Sequence, residues 1–140
     1  MAAVEFALIV PFFAFAFLAM VDTGLMISEK IAVDQLLRSG MQIAMTDPGT
    51  NQVYDAIVAT GTSDYEIVAA PANADERQLS VDVTRFYACK EAPSVAVPAG
   101  TTCDDAHPTS AYYRVLATKP YDEIILPDLV LTAVLQVQVR

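Results

Sequence analysis

The only histidine, His107, stands beside Asp104 and Asp105 in a Pro-rich stretch between residues 91 and 108. Aspartate oxygens suit hard cations, so a metal site is one reading of this trio. Three such residues in a loop are more simply a solvated turn, and no metal is expected there. No Gly-rich phosphate loop, zinc spacing or haem motif is present. Nothing places a Ser/His/Asp set either. The sequence therefore predicts no enzyme, no catalytic residue and no cofactor.

Two other features point to definite chemistry. Cys89 and Cys103 are the two cysteines. Behind an apolar N-terminal segment an exported location is expected, and there a disulfide persists. A bridge would close a loop of about 15 residues, worth about 3 kcal/mol in the chain-entropy model. The second feature is Glu5, the one charge in an otherwise apolar start. A carboxylate is expensive in hydrocarbon unless paired. Its own helix N-terminus helps, because free backbone N–H groups and the macrodipole favour negative charge there. The α-ammonium of a neighbouring copy could complete the pairing and set the register of one helix against the next.

The element that carries Glu5 is the clearest in the chain. Residues 6–21 contain no charged or strongly polar side chain. Counted from Ala2, the apolar run is about 20 residues, or about 30 Å of helix, the thickness of a bilayer hydrocarbon core. A secretory signal peptide would need a basic start and a small-x-small cleavage site; Asp22-Thr23-Gly24 follows instead. A simple membrane anchor and a retained export signal are the other two readings. Pro11 removes the hydrogen bond to the Ala7 carbonyl and is expected to kink or loosen the helix, which membrane helices tolerate. The phenylalanines Phe6, Phe12, Phe13, Phe15 and Phe17 read as packing and lipid contact.

The helix should continue past the apolar run. Residues 25–45 lack Pro, and Met26, Val33, Leu37 and Ala44 trace one stripe with Leu36, Met41 and Ile43 near its edges. Lys30, Asp34 and Arg38 are spaced for i,i+4 pairs on the other side. Gly24 and Gly40 read as tolerated weak points. Asp47-Pro48-Gly49 is a firm stop. Beyond it, residues 51–60 suggest a short helix with Val53 and Ile57 on one face. Strand alternation is weak over 65–69 and clean over 79–84. It is clear again around Tyr113, Val115 and Ala117, and in the series Leu131, Ala133, Leu135, Val137 and Val139. Tyr87, Tyr112, Tyr113 and Tyr121 are expected at the sheet edge with wet hydroxyls. The expected fold is α+β: a long N-terminal hydrophobic helix over 1–46, then a small extracytoplasmic domain over 47–140. Its antiparallel sheet of three or four strands has one face on the helix and one in solvent.

Composition agrees with that division. The chain has 140 residues, is 54% hydrophobic, and carries a net charge of −9. Its mean hydropathy is +0.40. The acids lie mainly beyond residue 45, and no basic patch is present, so nucleic acid is not an expected partner.

Ala2-Ala3-Val4-Glu5-Phe6-Ala7-Leu8-Ile9-Val10-Pro11 closely resembles the start of TadE-like pilins of tight-adherence (Tad/Flp) systems, a branch of the type IV filament superfamily. The segment Tyr112-Tyr113-Arg114-Val115, then Pro120-Tyr121, then residues 131–140 is similar to the looser C-terminal pattern of that family. The resemblance implies a leader cut by a prepilin peptidase and an acidic residue at the fifth mature position, which Glu5 fits. No basic leader or cleavage-site Gly precedes Ala2, so Met1 is either the mature N-terminus or an initiator in place of a leader. The resemblance further implies a structural subunit that waits in the bacterial inner membrane and then joins an extracellular pilus. Its partners would be copies of itself, other pilins and the assembly machinery. Met1, Glu5, Phe6 and Pro11 are the expected assembly residues. The rival readings are a minor pilin or pseudopilin that initiates or caps filaments, a permanent single-pass protein with an extracytoplasmic binding domain, and a tethered enzyme.

Overall fold

The computed structural model describes residues 2–61, 65–70, 78–104, 107–121, 124 and 129–139, with side chains from Phe6 onward. A single helix, α1 (Ala2–Ala44), holds 43 residues and is about 64 Å long. It runs through Pro11 without losing helical conformation. It ends where the sequence places a stop: Asp47 adopts a left-handed φ of 51°, a conformation that Asp tolerates better than most residues. A second helix, α2 (Thr50–Gly61), packs back against α1 through Val53 and Ile57.

Four strands follow: β1 (Glu66–Ala69), β2 (Gln78–Ala88), β3 (Ser110–Tyr121) and β4 (Leu129–Val139). They form one sheet in the order β1-β2-β3-β4. The pairs β2–β3 and β3–β4 are antiparallel, as expected. β1 runs parallel to β2, with Glu66 opposite Gln78. The sheet is therefore mostly antiparallel rather than wholly so.

The side-chain period of two puts Leu79, Val81, Tyr113, Val115, Ala117, Ala133 and Val139 on one face. That face closes on Val33, Leu36, Leu37, Met41 and Ala44 of α1, and the whole set forms one core with Val53 and Ile57. The helix stripe is thus as the sequence predicts from Val33 to Ala44, except that Ile43 is exposed, whereas Met26 is only half-buried and lies outside the core. Neither Lys30–Asp34 nor Asp34–Arg38 closes as an ion pair; α1 is instead paired through Glu29 to Lys119 of β3.

Gly40 is not merely tolerated. A Cβ there would come within 2.7 Å of Ile57 Cδ1, so the absent side chain lets α2 approach. Gly24, by contrast, faces open space.

The outer face of the sheet does not simply meet solvent. The Cys89–Cys103 disulfide forms as expected, with a Cα–Cα distance of 5.7 Å. It staples the segment that folds across Phe86 and Tyr112, which stack at 5.8 Å. Arg114 lies 4.7 Å over the Phe86 ring and donates to the Ser94 carbonyl at 3.2 Å, while Gln136 donates to the Pro93 carbonyl at 2.7 Å. Val97 pairs with Tyr87 through a 2.8 Å backbone hydrogen bond.

Candidate functional site

Among the described residues, the first part of α1 is left bare by the rest of the chain. Phe6, Phe12, Phe13, Phe15 and Phe17 are 61–79% exposed, and Pro11 lies on the same bare stretch. Apolar area of this extent in water would be strongly unfavourable, at about 25 cal/mol for each Å². The segment therefore requires an apolar surrounding. Among the described residues it is the one helix long and apolar enough to cross a membrane. Glu5 belongs to the first turn of α1, where the helix dipole favours an acid. Its side chain and all of Met1 lie outside the described residues.

The first fully buried side chain along the described part of α1 is Asp22, although Leu25, Ile27 and Ile31 beyond it are still 51–52% exposed. The Tyr121 hydroxyl lies 3.1 Å from Asp22 Oδ1 and 3.0 Å from its carbonyl oxygen. The Ile124 N–H donates to the same carboxylate at 3.4 Å. Two turns further on, Lys119 Nζ meets Glu29 Oε1 at 2.6 Å, with the Lys119 side chain only 7% exposed. Lys119 also sits 5.9 Å over the Tyr65 ring. A buried ammonium would be costly alone, and these contacts keep it paired. This is the first clamp between helix and sheet.

A second clamp holds the far end. Arg85 grips Asp47 with both prongs, Nε to Oδ1 and Nη2 to Oδ2, each at 2.9 Å. The Tyr113 hydroxyl donates to Asp47 Oδ1 at 2.7 Å and accepts from the Gly49 N–H at 3.1 Å. Arg85 Nη1 donates to the Tyr87 hydroxyl at 2.9 Å, and its guanidinium lies 5.1 Å over that ring. The Arg85 hydrogen bonds, followed by the Tyr113 hydroxyl, hold the Asp47 carboxyl below the usual carboxylate range. Burial, and then the Asp47 bond, push the Tyr113 phenol up. Asp47 in turn raises the Arg85 guanidinium, so the pair stays charged.

These contacts correct the expectation of wet tyrosines at a sheet edge. Tyr112, Tyr113 and Tyr121 are all buried, and two of their hydroxyls tie the sheet to α1. The physical reason is that an apolar ring with a polar tip can be buried while its hydroxyl reaches an acceptor on α1 or just past its end. The sequence contains the Tyr and Asp residues, but no local spacing pairs residues 99 apart. As for metal chemistry, no group of three candidate ligands comes together among the described residues; Asp105 lies outside them.

Fold and site together define a class: a protein that displays a long bare apolar helix from a compact α+β head, clamped to it at both ends of the sheet. Residues 1–41 match the family model described as TadE-like protein. The N-terminal segment of this chain is thus TadE-like, and the match spans the bare stretch, the first clamp on α1 and most of the stripe under the sheet. No curated protein and no solved structure matches the chain.

Proposed function

We propose that this protein is a structural subunit of a Tad-type surface filament, assembling through α1. The observation that supports it is that the TadE-like match, residues 1–41, includes the apolar part of α1 that is left exposed by the rest of the described chain. Before assembly the bare helix would sit in the inner membrane. On extraction it would exchange lipid for the helices of neighbouring subunits, so apolar burial is kept rather than lost. Glu5 would pair with a neighbour's α-ammonium and fix the axial step. The head, held at residues 22, 29 and 47, would move with its helix as one body.

Glu5→Ala is expected to reduce filament yield while leaving membrane insertion intact. Surface filaments sheared from cells and analysed by mass spectrometry test both parts. A dominant amount of this chain marks the building block, a trace amount marks an initiating or capping subunit, and its absence with retention in the membrane sinks the reading. Equal yield with the Glu5→Ala variant removes the role of that carboxylate.

A further inference from the structure

The two clamps fix which end of the head lies nearest the bare helix. Tyr113 meets Asp47, Lys119 meets Glu29 and Tyr121 meets Asp22, so β3 runs antiparallel to α1 along its length. The Tyr121 end of the sheet therefore points toward the apolar run, and the disulfide-stapled loop points away from it. With residues 2–21 filling about 30 Å of hydrocarbon, the membrane boundary falls next to Asp22. Ile124 is attached at that level by its N–H to Asp22, and it is 58% exposed. The strand register brings Leu129 opposite Tyr121 and Val130 opposite Pro120, at the same end. Val130 is 63% exposed. On α1 itself Val21 and Leu25 are also exposed there.

We propose that this end of the head is a membrane contact: Ile124, Leu129 and Val130 seat in the interfacial layer of the bilayer that α1 spans. The proposal rests on the membrane-spanning reading of α1, but not on filament assembly. The surface is continuous with the apolar helix, and exposed aliphatic side chains at this depth gain by leaving water. The arrangement also explains the buried acid. A carboxylate at the rim of the hydrocarbon would be costly, and Tyr121, a residue type favoured at membrane interfaces, covers it with a hydroxyl. The occupant is an electrically neutral lipid surface, because a chain of net charge −9 is repelled by anionic headgroups.

The chain contains no tryptophan, so a single one reports its own depth. The full chain carrying Phe13→Trp, Ile124→Trp or Val95→Trp would be reconstituted in phosphatidylcholine vesicles containing brominated lipid. The expected result is quenching of position 13 by deeply placed bromines, quenching of 124 by bromines near the headgroup, and little quenching at Val95 on the distal loop. Tryptophan itself favours interfaces, so Val130→Trp is read with Ile124 native and with Ile124→Asp. Loss of quenching at 130 in the second protein supports Ile124 as the seat; unchanged quenching overturns that role. If 13 is quenched and 124 is no more quenched than 95, the contact is absent while the span stands. If 13 is not quenched, both the span and the contact fall.

Discussion

At the scale of single residues, Asp47, Arg85 and Tyr113 form one connected polar cluster. Tyr113→Phe keeps the ring in the core but removes the donor to Asp47 and the acceptor for Gly49. The expected loss is about 1–2 kcal/mol, read from denaturant unfolding of the head. The same cluster sets a pH dependence. The Asp47 pKa is lowered on folding, so its contribution is fully present above the unfolded value, about 3.9, and is lost as pH falls through the lower folded value. Tyr113 has the opposite sense: its pKa is raised, so its contribution is full below about 10 and is lost as pH rises through the folded value. Asp47→Asn is expected to flatten the acid limb of a stability-against-pH curve, and Tyr113→Phe the alkaline limb. An unchanged acid limb in the Asp47→Asn protein would assign it to other carboxylates.

At the scale of elements, the two glycines within α1 separate propensity from packing. Alanine normally stabilises a helix interior by about 1 kcal/mol relative to glycine. At Gly24, where a Cβ meets nothing, Gly24→Ala should keep that gain. At Gly40 the new methyl collides with Ile57, a fully buried side chain with few places to go. Overpacking of this kind costs about 1–3 kcal/mol, so Gly40→Ala should be destabilising despite its better propensity. Thermal unfolding of the two variants in one detergent decides it. A rise in Tm for both would mean that α2 shifts away at little cost.

At the scale of the whole molecule, the head is polarised. The end nearest the apolar run is held by Tyr121 and Lys119, and the other end carries the Asp47 clamp and the stapled loop over Phe86 and Tyr112. Replacing both cysteines by serine should cost about 3 kcal/mol by freeing the unfolded chain. It should loosen the distal loop before the helix side of the sheet, since the core residues on α1 do not touch the staple. Amide hydrogen exchange would show this as faster exchange of Val97, whose N–H bonds to Tyr87, with protection retained at Val115. Uniform loss of protection would mean that the staple supports the whole sheet.

The sequence by itself determined the elements whose signal is local. The apolar run, the buried stripe at Val33, Leu37 and Ala44, the stop at Asp47-Pro48-Gly49 and the alternation of β3 and β4 all follow from helix and strand periods over short windows. The TadE-like start was legible for the same reason, as one contiguous stretch. Only the tertiary structure decided the parallel placement of β1, the cover over the outer face and both clamps. Tyr121 and Asp22, or Tyr113 and Asp47, are far apart in the chain, and no residue pattern near either one names its partner. Their pairing follows from burial: once α1 lies on the sheet, each polar tip beneath it must find the acceptor that the packing brings within reach.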